Sequence, residues 1–322
     1  MAIRTALTEV FGLEYPIVLA PMGQVAGGRL AAAVSNAGAL GIVGGAYGDP
    51  EWLHRELSLV QAETDRPWGV GLITWYASPE VVDLALSYHP AAFLLSFGDI
   101  RPYVDAIKAA GCTLLCQVQD IEAARDVVAA GADVVVAQGH EAGGHCGLRA
   151  TLPLVPAVVD AVAPVPVLAA GGIADGRGMA AALMLGAQGA VLGTRFSAAS
   201  EALTHERAKA RMVAARAADT VQTRVFDIIR GYGAWPAPYV ARALRNDFFA
   251  RWHGRDGELE ATLEAEMPTY QRAVATGDFR TAMILAGEAV DLIDAIVPAA
   301  DLVQRIGAAA EARLRAGPGL LA

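Results

Sequence analysis

The sequence predicts an α/β fold, a (β/α)8 TIM barrel with a mainly helical insertion after the eighth strand. Three observations lead there. Short apolar runs recur, each nearly continuous in hydrophobicity and each followed by a turn and a helix-like stretch; parallel strands covered on both faces read this way. Gly38, Gly111, Gly131 and Gly186 each follow an Ala-rich stretch and shortly precede an apolar run, the pattern of a glycine closing the helix of a β/α unit. Eight such units fit within roughly 200 residues, which suits a closed barrel. An open doubly wound sheet is the competing architecture.

The eight strands are expected at 16–20, 40–44, 68–73, 91–96, 112–118, 133–138, 166–170 and 190–193. Helices between them are expected at 28–36, 79–87, 101–110, 121–130 and 175–185, with Asp120 and Asp175 as N-caps. After Phe196 the pattern changes. Residues 200–285 are rich in Arg, Glu and Ala and show no clear strand, while 200–218 and 246–266 look helical. Between those two stretches, GYGAWPAPY at 231–239 reads as a structured loop. The stretch 299–316 resembles a terminal amphipathic helix, the helix of the eighth unit rejoined after the insertion. The expected division is therefore a barrel of residues 1–200 and 286–322, with 201–285 as a lid over the substrate pocket.

The composition bounds the function. A 322-residue chain with 54% hydrophobic residues has enough apolar surface for a large core. The formal charge of −9 speaks against nucleic acid as a partner. No apolar run reaches membrane-spanning length, and the first residues lack an uninterrupted apolar segment. The three cysteines, Cys112, Cys116 and Cys146, make no disulfide framework; the first two read as buried thiols on one strand face. A cytoplasmic enzyme acting on small molecules is the expectation. The Ala-rich surfaces leave a homodimer open.

In such barrels the active site lies at the C-terminal ends of the strands. The seventh strand ends in Gly171-Gly172 and the eighth in Gly193-Thr194. These loops usually form a phosphate site, because backbone N–H groups can approach an anion closely there. The sixth strand runs into QGHEAGGHCG, residues 138–147. His140-Glu141 and His145 suggest HExxH, but three residues separate Glu141 from His145. Gly143-Gly144 would also break the required helix, so no metal site is expected. His145 is the candidate for proton transfer or hydrogen bonding at the mouth. His140 reads as peripheral, and Cys146 has no evident base to make it a nucleophile.

Three stretches together resemble the nitronate monooxygenases, formerly called 2-nitropropane dioxygenases. They are APMGQVAGGRLAAAVSNAGALGIVGG at 20–45, VAQGHEAGGH at 136–145 and VLAAGGIADGRGMAAALMLGAQGAVLGTRF at 167–196. Looser similarity continues through DTVQTRVFD at 219–227 and LAGEAVDLI at 285–293. The resemblance implies noncovalent FMN with its phosphate against Gly171, Gly172, Gly193 and Thr194. It places Gln138 and Gly143 at the cofactor and Pro21, Met22 and Gly23 along the flavin ring. His145 matches the catalytic histidine. One departure stands out: PWGVG puts Gly71 where the family usually carries an asparagine amide that contacts FMN. The implied reaction is oxidation of an alkyl nitronate with O2 to a carbonyl compound and nitrite. The alternative is an NAD(P)H-dependent FMN reductase of quinones or enoyl thioesters; a non-catalytic phosphate-ligand barrel is a third. Tyr232, Trp235, Tyr239 and Phe248 are candidates for the pocket wall.

Overall fold

A computed structural model describes residues 3–233 and 235–320. Its strands are β1 (Ile17–Leu19), β2 (Gly41–Ala46), β3 (Trp68–Ile73), β4 (Ala92–Ser96), β5 (Thr113–Val118), β6 (Val134–Gln138), β7 (Gly144–Cys146), β8 (Val167–Ala170), β9 (Ala190–Leu192), β10 (Thr220–Thr223) and β11 (Val240–Leu244). Eight of them pair in parallel in the order β1-β9-β8-β6-β5-β4-β3-β2. The two edges meet through Leu40, just ahead of β2. Its N–H donates to the Ile17 carbonyl and its carbonyl accepts from Leu19 N–H, both at 2.9 Å. The sheet is thus a barrel, and the open alternative is excluded. All eight expected strands are present, within one or two residues at their ends.

The apolar residues divide into two shells by the period-two alternation of strands. Val18, Leu40, Ile42, Leu94, Leu115, Val136, Leu168 and Val191 fill the barrel interior. Leu7 and Phe11, from the helix Ala6–Phe11, together with Leu13, join that cluster and close one end. The outward-facing neighbours, among them Phe93, Leu95, Leu114, Val135 and Ala137, pack against the helices. On β4, β5 and β6 the inward register turns polar at the C-terminal end. Ser96, Gln117 and Gln138 continue the parity of Leu94, Leu115 and Val136. That end is therefore where chemistry can be placed.

The helices form as expected. Asp120 and Asp175 accept hydrogen bonds from first-turn N–H groups. Gly38, Gly111, Gly131 and Gly186 follow their helices with φ of +90°, +75°, +112° and +96°, values that a side chain would resist. The terminal helix spans Ala299–Ala316 and packs on the helix Gly176–Met184, where a side chain at Gly176 would collide with Ala309 and Ala310.

The insertion corrects one expectation. The chain leaves the barrel at Ala199 and returns beside it at Val297, the two paired in a parallel bridge. Between them lie helices at Glu206–Ala214, Val225–Ile229, Asp247–Trp252, Asp256–Ala261 and Leu263–Thr276, but also β10 and β11. Each strand is only four or five residues long. β10 pairs with β11, and β11 in turn with the distant β7, so local pattern alone carries little signal for them. The expected helix over 246–266 is broken at Gly254, whose φ is +76°.

Cys112 and Cys116 sit in the outer shell as expected, and all three thiols are buried and unbridged. Burial raises the pKa of each, that of Cys116 to about 12. At pH 8 all three should therefore stay protonated and unreactive toward a thiol reagent such as DTNB, and all three should react once the protein is unfolded. A fast native-state reaction at any one of them would contradict this packing.

Candidate active site

Barrel strands do not carry His145. It is the central residue of β7, which pairs antiparallel with β11 of the insertion, His145 opposite Ala241. The stretch before it is clamped on several sides. The Glu141 carboxylate accepts from the N–H and hydroxyl of Thr151, at the start of the helix Thr151–Val162. Buried Arg242 of β11 donates to the His140 carbonyl at 3.1 Å and pairs with Glu288 at 3.0 Å. Gly143 lies so close to Ala286-Gly287 that an added Cβ would sit 2.7 Å from the Gly287 nitrogen.

The His145 imidazole meets a carboxylate from the insertion. Nε2 is 2.9 Å from Oδ2 of Asp227, on the short helix Val225–Ile229, and both side chains are almost fully buried. Asp227 Oδ1 is buried without a partner. An ionised carboxylate only accepts, so the pair places the imidazole proton on Nε2. Nδ1 then carries the lone pair and has no partner among the described residues. An imidazole oriented this way, with a carboxylate behind it, can act as a general base.

An aromatic roof covers this pair. Trp235 stacks flat on the imidazole, centroids 3.4 Å apart and planes within 5°. Trp75 and Phe97, from the barrel, and Tyr239 meet Trp235 edge-on. Tyr47 stacks on Tyr232 at 4.1 Å, with Tyr76 edge-on to both. Burial raises the phenol pKa of Tyr47, Tyr76 and Tyr239, so these hydroxyls remain neutral donors. Gln24, Ala46 and Phe97 hold φ of +58°, +43° and +60° just past β1, at the end of β2 and just past β4. Left-handed backbone in non-glycine residues costs free energy, and here it concentrates at the mouth.

Beside the roof is a cradle for an anion. Gly171 and Gly172 follow β8 with φ of +93° and +72°, and a side chain at Gly171 would press on the Gly139 carbonyl. Thr194 opens the short helix Thr194–Ser197, and its hydroxyl accepts from Gly287 N–H at 2.9 Å, leaving its own proton to donate. The N–H groups of Gly171, Gly172, Gly193 and Thr194 donate to no backbone carbonyl among the described residues. Adjacent left-handed glycines, free N–H groups and a hydroxyl suit a phosphate. Gln138 stands at the rim. Its Oε1 accepts from Gln119 Nε2 at 2.9 Å, which leaves the Gln138 amide hydrogens as donors.

The segment Pro21-Met22-Gly23 reaches the same end by descending into the barrel. Met22 Sδ accepts from the Ser197 hydroxyl at 2.9 Å. Side chains on the inward positions Gly44 and Gly71 would overlap the Met22 backbone and the Pro21 ring. Gly71 is therefore matched to Pro21 rather than merely lacking an amide.

The structure thus gathers Pro21, Met22, Gly23, Gly71, Gln138, Gly143, Gly171, Gly172, Gly193, Thr194 and His145 at one end of the barrel. It corrects two assignments. Phe248 is not pocket wall; it packs with Phe226 and Tyr270 inside the insertion's own core. His145 lies on an additional strand rather than at the end of β6. Cys146 is a core thiol that donates to the His140 carbonyl, with burial raising its pKa. Asp227 and Tyr47 escaped the sequence reading. Asp227 closes DTVQTRVFD, whose similarity was noted without a role for its last residue.

A family model described as nitronate monooxygenase matches residues 4–90 and 76–308. The chain belongs to that family. It is 33% identical to a nitronate monooxygenase of Neurospora crassa, covering 93% of this chain and 90% of that one. It is 40% identical over 230 residues to a 5-hydroxy-7a-methyl-1-oxo-octahydro-1H-indene-4-carboxyl-CoA dehydrogenase of Mycobacterium tuberculosis. That match spans 70% of this chain and 65% of the relative's length. The solved structure of FabK from Thermotoga maritima superposes with a TM-score of 0.88 at 34% identity, covering 99% of this chain and all of that one.

Placing an asparagine at position 71 tests the Gly71–Pro21 fit. Gly71→Asn should destabilise the protein by about 1–3 kcal/mol through overpacking, read as a lower Tm. It should weaken flavin retention rather than improve it. Unchanged Tm with tighter flavin binding would show that Pro21 yields easily.

Proposed function

We propose that the protein is an FMN-dependent nitronate monooxygenase, oxidising alkyl nitronates with O2 to carbonyl compounds and nitrite. The observation that carries this reading is the His145–Asp227 pair facing the mouth beside a phosphate-shaped cradle. Gly171, Gly172, Gly193 and Thr194 would hold the FMN phosphate, and Pro21, Met22, Gly23, Gly71, Gln138 and Gly143 would border the rest of the cofactor. When bound, FMN supplies the electron-accepting chemistry and the route to O2.

The chain's own residues do the remainder. Nδ1 of His145 accepts the α-proton when a neutral nitroalkane is offered, or contacts the nitro group of a nitronate once protonated. Asp227 stabilises the imidazolium that forms. The roof excludes water, which strengthens these interactions. Residues 201–285 act as the lid, supplying Asp227 and Trp235 to a barrel of residues 1–200 and 286–322. A cytoplasmic location fits three unbridged thiols.

His145→Ala should keep flavin at wild-type stoichiometry and lose about 10²–10⁴-fold in turnover, the usual worth of a general base. Asp227→Asn should fall in the same direction by less. Full activity in His145→Ala would remove the histidine from the chemistry.

The second reading is NAD(P)H-dependent reduction of a quinone or an enoyl thioester. The acyl-CoA relative and the apolar roof favour it. Anaerobic mixing separates the two. Under the first reading propionate 3-nitronate bleaches the flavin near 450 nm (roughly the oxidised-flavin band) and NADH and NADPH do not. Bleaching by a nicotinamide alone would establish the reductase.

A further inference from the structure

Trp235 covers one face of the His145 imidazole. The two rings are parallel and in van der Waals contact, so nothing fits between them. Trp75, at 4.9 Å and 73°, Phe97, at 5.0 Å and 84°, and Tyr239, at 6.5 Å and 77°, present their rings at steep angles around the indole. The imidazole is thus the floor of a slot whose walls are aromatic, and the indole fills it.

Two features mark the indole as a poor permanent core residue. Its N–H is buried with no acceptor in hydrogen-bonding geometry, although the Tyr47 hydroxyl is near it. Buried tryptophans usually satisfy that donor, and leaving it unpaired costs free energy. The segment that carries it has space beside its glycines, although Arg224 Nη2 holds the Gly233 carbonyl at 2.9 Å. Gly231 has φ +79° and nothing near its missing Cβ, and Gly233 has no neighbour closer than 3.6 Å there.

The slot's electrostatics limit what can replace the indole. Asp227 is held behind the imidazole. Guanidinium groups lie near the roof: Arg230 over the Tyr232 ring, and Arg224, whose Nη2 donates to the Gly233 carbonyl at 2.9 Å. A second anionic group on a substrate would meet aromatic rings in the slot itself. A flat apolar group would find the same edge-to-face partners that the indole has now.

We propose that Trp235 is an intramolecular occupant of the substrate slot: it leaves His145 to admit substrate, and the slot selects substrates that carry a flat, ring-bearing apolar group. This rests on His145 being the group that meets substrate, as proposed above. Removal of the indole then frees the slot instead of damaging it.

The test uses the FMN-loaded protein and its Trp235→Gly variant, with free indole as the probe. The stacked indole shields the His145 ring protons, so their NMR resonance should lie upfield in wild type, move downfield in Trp235→Gly and return on adding millimolar indole. The KM for phenylnitromethane nitronate should fall on the order of tenfold in the variant, because a competing closed state is gone. That for propionate 3-nitronate should change little. Absence of the upfield shift in wild type, no return with indole, or a raised KM for the phenyl substrate would overturn the proposal. If no nitronate is turned over by either protein, the reaction assignment fails while the NMR result still decides the slot. Should Trp235→Gly not fold, Trp235→Leu gives the same downfield shift and the same lowered KM without the indole rescue; an unshifted resonance or a raised KM there would equally overturn it.

Discussion

The candidate base of this protein is held by a strand that has no pairing partner in the barrel. β7 reaches out from between β6 and β8 and pairs with β11, which belongs to the insertion. The same insertion brings Asp227 to Nε2 of His145 and Trp235 to the face of its ring. The barrel alone supplies a polar rim and an anion cradle. Docking of the insertion is what orients the His145 imidazole. The clamp around it, Arg242 to the His140 carbonyl and Glu288, and Glu141 to Thr151, ties barrel, insertion and return segment into one unit.

The barrel prepares this end by changing what faces inward. Apolar positions give way to Ser96, Gln117 and Gln138 at the strand termini, while glycines at 44 and 71 make room for Pro21 and Met22 to fold down. The space a side chain would take is used by the preceding loop. At position 71 the Pro21 ring, in the loop after β1, takes the space a side chain would need. Left-handed backbone at Ala46 and Phe97 then turns Tyr47 and Phe97 toward the roof. Strain and hydrophobic burial thus meet at the same few residues.

Much of the barrel was legible because its signals are local. A buried parallel strand is a short apolar run, and a helix end is a glycine with positive φ; both can be read without knowing the fold. The phosphate loops were legible for the same reason, since Gly171-Gly172 and Gly193-Thr194 follow strands directly. What stayed hidden depends on distance. β10 and β11 are too short to announce themselves, and Asp227 lies 82 residues from His145, so nothing nearby marks it as a partner. Phe248 and Trp235 look equally suited to a pocket wall in the sequence. Packing alone separates them, one into the insertion's core and the other onto His145.

The proposed chemistry turns on where the His145 proton sits. A ¹⁵N-histidine NMR spectrum of the flavin-loaded protein near neutral pH reads it directly, with His145→Ala assigning the signals. The geometry requires Nε2 protonated against Asp227 and Nδ1 with the shift of an unprotonated ring nitrogen. Substitution of Asp227 by Asn should disturb that pattern. A proton resident on Nδ1, with Nε2 bare, would contradict the arrangement from which the proposed chemistry follows.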